Sequence, residues 1–171
     1  MNNSELDSYI SKVPDYPKPG ILFYDISSLI SDASAFKAVV DKMSEKVKKF
    51  DIDKIAAIDA RGFIFGAALA QSLEIGLVMI RKKNKLPGKL ISYEYDLEYG
   101  KDCLEINSSL CEYNFALIDD VLATGGTANA ACQLIKKGGG YVNFFCTLIE
   151  LEFLSGKDNI NVPFESIIKY W

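Results

Sequence analysis

Two adjacent acids, Asp119 and Asp120, end the apolar run FALIDDV and lead into ATGGTA. Carboxylates at the carboxyl end of a buried strand stand on the edge where open α/β sheets bind ligands. Gly125 and Gly126 let the backbone turn tightly and approach a ligand closely. Thr124 and Thr127 add hydroxyls beside the unbonded N–H groups of a helix start. Together these groups make a cradle for an anion such as a phosphate, and the acids beside it suit the hydroxyls of a sugar. The plainer alternative is a packing turn with solvated, capping aspartates. The conjunction of acid pair, threonines and helix start favours the cradle.

Three further segments carry charge where chemistry could use it. In IDARGFIFG, Arg61 follows a strand directly and Gly62 separates it from a helix body, which aims a guanidinium at the same edge. A surface ion pair is the alternative use of that arginine. Residues 81–89 hold Arg81, Lys82, Lys83, Lys85 and Lys89, five cations in nine residues of an acidic chain. Such a concentration repels itself unless an anion of high charge density is present; a solvated basic loop is the competing reading. The stretch after Pro87 and Gly88 carries Tyr93, Glu94, Tyr95, Asp96, Glu98 and Tyr99. Acids and tyrosines on a long excursion suit a lid that supplies a general acid or base, although an ordinary exposed hairpin would look similar.

Composition narrows the chemistry. The chain has 171 residues, no histidine, and only two arginines among its 19 basic residues. Without histidine there is no Ser-His-Asp or Cys-His nucleophile and no histidine-ligated metal. Proton transfer then falls to a carboxylate, tyrosine, lysine, cysteine or water. Cys103, Cys111, Cys132 and Cys146 form no CxxC pair, which argues against zinc and thioredoxin-like sites. The N-terminus MNNSELDSYI lacks the apolar core of a signal peptide, so reduced thiols and a cytoplasmic location are expected. No apolar stretch reaches the roughly 18 residues of a membrane span. A net charge of −4 argues against general nucleic-acid binding.

The elements that must position these residues read as an α/β chain. A short helix is expected over 4–12, with Ser4 as its N-cap, followed by the loop PDYPKPG and the extended segment 21–26. Phe36, Val39, Val40, Met43, Val47 and Phe50 keep helical spacing. Then come a strand over 54–60, a helix over 62–73 and a strand over 76–82, one βαβ unit. Residues 83–114 read as two exposed antiparallel strands with a long connection. Another strand over 115–121, a helix to about 134–137 stopped by Gly138–Gly140, a strand over 141–151 and a last one near SIIKYW complete the chain. The expected architecture is a parallel twisted sheet with helices on both faces, a flexible antiparallel hairpin, and an N-terminal cap.

Taken together, these residues resemble a known family. ALIDDVLATGGT is similar to the phosphoribosyl-pyrophosphate signature of the type I phosphoribosyltransferases. PDYPKPGILF, DARGFIFG, RKKNKLPG and YDLEYGKD, in this order, resemble segments of the adenine-specific branch and cover most of 14–150. Relatives using hypoxanthine or guanine typically carry an acid where this chain has Ala123.

The resemblance implies one phosphoribosyltransferase domain over 1–171, with an N-terminal hood over 1–35 and a catalytic lid over 83–114. It implies purine salvage: adenine plus phosphoribosyl pyrophosphate gives AMP and pyrophosphate, with Mg2+, in a homodimer. By position, Ala123, Thr124, Gly125, Gly126 and Thr127 would hold the 5′-phosphate, and Asp119 and Asp120 the ribose hydroxyls. Arg61 and Gly62, with Arg81, Lys82 and Lys85, would meet the pyrophosphate. Leu22, Phe23 and Tyr24 would contact adenine, with Phe23 stacking on it. Glu98, with Tyr99 beside it, would exchange a proton with the purine. Mg2+ would be held mainly by the substrate, with Asp119 and Asp120 nearby. One departure stands out: the family usually has arginine where this chain has Tyr24, which bears on base affinity or preference. Two other readings remain, a related transferase acting on xanthine, hypoxanthine or orotate, and a non-catalytic regulator that senses phosphoribosyl pyrophosphate.

Overall fold

The computed structural model describes residues 1–97 and 100–171. The chain divides into two compact units, Met1–Lys42 and Met43–Trp171.

The first unit begins with α1 (Asn3–Asp7), shorter than expected and capped by Asn2 instead of Ser4. The Asn2 side chain accepts from the Glu5 N–H at 2.9 Å while the Glu5 carboxylate accepts from the Asn2 N–H at 2.7 Å. This reciprocal capping box places the N-cap two residues earlier than Ser4. The helix ends early because Ser11–Pro14 (β1) pairs antiparallel with Leu22–Asp25 (β2), in a register that sets Lys12 opposite Tyr24 and Val13 opposite Phe23. Strand pairing thus overrides the helical spacing of Tyr9 and Ile10. A short helix, α2 (Ser27–Ser31), follows. Helix α3 (Ala33–Val47), whose last turn and more belong to the second unit, buries Val39, Val40, Met43 and Val47, as its spacing predicts.

The second unit is a seven-stranded sheet. Its strands are β3 (Lys54–Ile58), β4 (Gly76–Lys82), β5 (Leu90–Leu97), β6 (Gly100–Asn107), β7 (Asn114–Leu122), β8 (Tyr141–Leu151) and β9 (Phe164–Tyr170), in the order β5-β6-β4-β3-β7-β8-β9. The five strands from β4 to β9 are parallel to their neighbours. Their continuous apolar runs follow from burial on both sides: Ile55–Ile58 and Phe115–Ile118 are inaccessible to solvent.

Helix α4 (Gly62–Leu73) links β3 to β4, and α5 (Gly126–Lys137) links β7 to β8. The two crossovers run in opposite directions along the sheet. Right-handed connections therefore put α4 and α5 on opposite faces and open a crevice between the carboxyl ends of β3 and β7.

The hairpin differs from expectation in two ways. It is not a free excursion, because β6 joins the sheet antiparallel to β4 through Arg81–Glu105 and Lys82–Leu104. Nor is it exposed. Cys103, Leu104, Glu105 and Ile106 are buried, and Ile91, Tyr93 and Tyr95 pack on the core that includes α5. The alternation that reads as a solvated ribbon is that of a strand with one covered face. All four cysteines are free, with Cys103, Cys111 and Cys146 buried. Burial pushes the Cys132 and Cys146 thiols up to about 12.

Candidate active site

A cavity of about 310 Å³ opens at the crevice between β3 and β7. Its walls are the segment Ile58–Arg61, the run Asp119–Ala128, and Lys82. A volume of this size fits a small ligand.

The floor is the acid pair. Asp120 is buried, 4% exposed, while Asp119 is half-buried. The Asp119 carboxylate accepts from the Asp120 N–H at 2.9 Å. Arg61, the last residue before α4, places Nη2 2.6 Å from Asp120 Oδ2. That contact is an ion pair by distance but not a well-formed hydrogen bond, and the same oxygen accepts none from the described residues. A buried carboxylate oxygen facing a cavity without a bonded donor is poised for a hydroxyl. Loss of hydration pushes Asp119 well above the ordinary carboxylate range, and the neighbouring Asp120 charge adds to it. Burial raises Asp120 too, and the Arg61 charge opposes the rise. Gly62 explains how Arg61 comes so close: a Cβ there would lie 2.9 Å from both Asp119 Oδ1 and the Ile118 carbonyl oxygen.

The anion cradle forms as its residue types dictate. Gly125 has φ +83°, a left-handed conformation that side chains rarely adopt, and it caps α5. The first intrahelical bond runs from the Asn129 N–H to the Gly125 carbonyl, so the N–H groups of 126–128 are free at the helix start. These donors, and the positive end of the helix, favour an anion. Ala123 and Thr124 complete the loop.

The basic segment is held by carboxylates. Asp59, at the end of β3, accepts from the Lys82 N–H at 3.4 Å and from Arg81 Nε at 3.3 Å, and pairs with Lys85 Nζ at 3.4 Å. Burial works against its charge, but these partners prevail and hold Asp59 below the usual carboxylate range. Lys82 reaches the cavity wall, where its ammonium pairs with Asp102 and donates to the Tyr95 hydroxyl at 3.1 Å. Tyr95 donates to Asp102 at 3.1 Å and lies 3.3 Å from Thr127 Oγ1. Despite burial, the Lys82 and Tyr95 contacts keep Asp102 low, and the Asp102 contact keeps Lys82 high. Buried Glu105 accepts from the Asn84 N–H at 2.9 Å and fixes the turn that carries the cations.

Arg61, Gly62, Lys82 and the run 119–127 thus come together as expected from sequence, with Arg81 and Lys85 joined to them through Asp59. Glu98 and Tyr99 lie outside the described residues. Leu22, Phe23 and Tyr24 lie in the first unit. There the strand alternation sends Phe23 and Tyr24 to opposite faces, and burial pushes the Tyr24 phenol up. The Tyr16 ring meets Phe23 edge-on, with centroids 5.2 Å apart. Asp59, Tyr95, Asp102 and Glu105 were not singled out from sequence as structural partners. Asp59, standing two residues before Arg61 at a strand end, carried a usable signal; the other three depend on cross-strand register.

Acid pair, anion cradle and cationic rim stand together at a strand-order reversal, the arrangement of an α/β protein of the phosphoribosyltransferase class. Residues 28–151 match the model of the phosphoribosyl transferase domain. The chain is 49% identical to an adenine phosphoribosyltransferase of Mycoplasma mobile over 99% of its own length and all of that protein's. It is similar in structure to the adenine phosphoribosyltransferase of Thermoanaerobacter pseudethanolicus, with a TM-score of 0.95 and 41% identity over 99% of this chain and 100% of that one. The enzyme from Saccharomyces cerevisiae, solved with an imino-altritol bisphosphate and adenine, matches at TM-score 0.91 and 32% identity over 97% and 98% of the two chains. The chain belongs to the adenine phosphoribosyltransferase family. No helix among the described residues is long and apolar enough to cross a membrane.

Proposed function

We propose that this chain transfers the 5-phosphoribosyl group from phosphoribosyl pyrophosphate to adenine, forming AMP and pyrophosphate in purine salvage. The observation that carries the reading is the joining of the acid pair 119–120 to the backbone cradle 123–127 in one cavity. The cradle binds the 5′-phosphate through its free N–H groups and the Thr124 and Thr127 hydroxyls. Asp119 and Asp120 accept from the ribose hydroxyls, which replaces the incomplete contact of Asp120 with Arg61.

Cleavage at the anomeric carbon sends the bonding pair out with pyrophosphate and leaves an oxocarbenium-like sugar. Arg61, the peptide to Gly62, Arg81, Lys82 and Lys85 stabilise that leaving charge. Lys82 is already engaged by Asp102, and Arg81 and Lys85 by Asp59, so pyrophosphate competes with carboxylates for these cations. That competition favours a highly charged ligand over a weak anion. A ring nitrogen of adenine then bonds to the anomeric carbon, and Glu98, with Tyr99 beside it, takes the proton the purine loses. Phe23 stacks on adenine, with Leu22 and Tyr24 flanking. The opposite facing of Phe23 and Tyr24 argues that only one of them stacks on the base.

The hard oxygens of Asp119 and Asp120 suit Mg2+ held mainly by the substrate. When bound, the ion would neutralise pyrophosphate charge. Residues 1–171 work as one catalytic domain with its N-terminal hood and hairpin lid, as a homodimer in the cytoplasm.

A screen of free bases tests this function. Pyrophosphate release is expected with adenine and not with hypoxanthine, guanine, xanthine or orotate. Equal or greater turnover of any of the others would overturn the adenine assignment.

A further inference from the structure

Behind the phosphate cradle lies a segment with no place in the reaction described so far. After β8 the chain makes a 3-10 turn, Glu152–Leu154, then a second, Gly156–Asn159. Both are closed by their own backbone bonds: Ser155 N–H to the Glu152 carbonyl at 2.9 Å and Asp158 N–H to the Ser155 carbonyl at 3.0 Å. A third, from the Ile160 N–H to the Lys157 carbonyl at 3.0 Å, ends the segment. It is fastened at one end to buried Leu151 and at the other to Ile160 and Val162, which pack on the core under α5. It is therefore a fixed surface and not a loose connection.

That surface meets the cradle backbone to backbone. Gly156 is buried, and a Cβ on it would overlap the Ala123 carbonyl oxygen and stand 3.0 Å from the Gly125 nitrogen. The approach is reciprocal, since a Cβ on Gly125 would overlap the Gly156 carbonyl oxygen and come within 3.2 Å of the Asn159 Cβ. Three residues further on, Asn159 Nδ2 donates to the Thr124 carbonyl at 2.8 Å. In a trans peptide the carbonyl and the following N–H point in opposite directions. A donor on the Thr124 oxygen therefore turns the Gly125 N–H of the same peptide away from Asn159. It also polarises that peptide, which strengthens its N–H as a donor.

We propose that the turn Gly156–Asn159 is a positioning element for phosphate binding, in which Gly156 sets the closeness of the cradle and Asn159 sets the direction of its Thr124–Gly125 peptide. The proposal rests on the reading that residues 123–127 hold the 5′-phosphate. Asn159 touches no substrate in this scheme; it acts through the peptide it holds. Its loss should weaken recognition of the phosphorylated sugar and leave recognition of the base intact.

Calorimetric titration with ribose 5-phosphate, which needs no turnover, separates the two. Asn159→Ala is expected to weaken ribose 5-phosphate binding about five- to tenfold, the weight of one hydrogen bond. The KM for phosphoribosyl pyrophosphate should rise by a similar factor, with the KM for adenine unchanged. Asn159→Asp keeps the shape but loses the donor, and is expected to lose at least as much. Gly156→Ala should lose more, provided its circular dichroism stays that of the parent. Unchanged ribose 5-phosphate affinity in both Asn159 variants overturns the proposal, whatever their melting temperatures do. So does an equal loss for adenine, which would mark a general structural role. A parent protein that forms AMP from adenine but binds ribose 5-phosphate no better than the variants rejects the positioning element alone. A parent that neither turns over nor binds rejects the functional reading itself.

Discussion

Two carboxylates near the same cleft are both pushed up by burial, and their partners take them to opposite sides of the ordinary range. Asp119, beside the glycine-rich turn 123–127, is pushed above its ordinary range by burial and by its Asp120 neighbour. Asp102, opposite Tyr95 in the β5–β6 ladder, has Lys82 and Tyr95 against it and is held below. The cradle around Asp119 is made of backbone: left-handed Gly125, free N–H groups at the start of α5, and a glycine-to-glycine contact behind them. The cluster around Asp102 is made of side chains, Lys82, Tyr95, Asp102 and Glu105, where β4 and the hairpin strands meet through two residue pairs. The first region carries an unbalanced charge that a ligand can satisfy. The second balances its own. On the proposed function, one binds the substrate and the other holds a strand pair in place until pyrophosphate competes for its cations.

The largest test of this contrast breaks the cradle. Gly125→Ala forces a side chain into a left-handed backbone and into the Gly156 carbonyl. It is expected to lower kcat/KM for phosphoribosyl pyrophosphate by about 10²-fold or more, the scale of an ångström-size misplacement, and steady-state kinetics would reveal it. Next comes the proton step proposed for Glu98. Glu98→Gln should lower kcat by about 10²-fold or more, as loss of a general acid or base does. An unchanged rate would show that Glu98 carries no proton.

The smallest effects are in stability, and they should differ in sign. The raised Asp119 makes the folded state favour the proton, so its ionisation costs stability as pH rises through the raised value. Asp119→Asn is therefore expected to melt above the parent at about pH 8, with the gain shrinking towards acid, even as activity is lost. The lowered Asp102 contributes stability above the ordinary carboxylate range and loses it as pH falls through the depressed value. Asp102→Asn should melt below the parent at about pH 8, with the deficit shrinking towards acid. For a chain of this length each kcal/mol moves Tm by about 2–4 °C. Parallel slopes in the two variants would break the comparison.

The cradle was legible in the sequence because its chemistry is local. ALIDDVLATGGT places strand, acids, glycines and helix start within one stretch, and α4, β4 and β8 begin and end at the residues that periodicity marks. The Asp102 cluster was not legible, because its partners come from three strands. Lys82, Tyr95 and Asp102 meet only after β6 takes its register against β4 and β5. The same reason hid the pairing that shortens α1, and the turn behind the cradle, where Asn159 meets Thr124 across 35 residues of chain. Composition gave one constraint that the structure sharpens. Both arginines stand at the ends of strands, and each has a buried carboxylate as its partner, Asp120 for Arg61 and Asp59 for Arg81.

The free thiols carry a practical consequence. They sit on β6, just before β7, on α5 and on β8, four separate places in one unit. With Cys132 and Cys146 at about 12, almost none of either is thiolate at neutral pH. At buried Cys103, Cys111 and Cys146 an alkylating reagent must wait for the surrounding structure to open before it can react, while half-buried Cys132 is partly open to it. The order in which the four become labelled would then time the separate opening of hairpin, helix and central strand, a set of clocks already present in the chain.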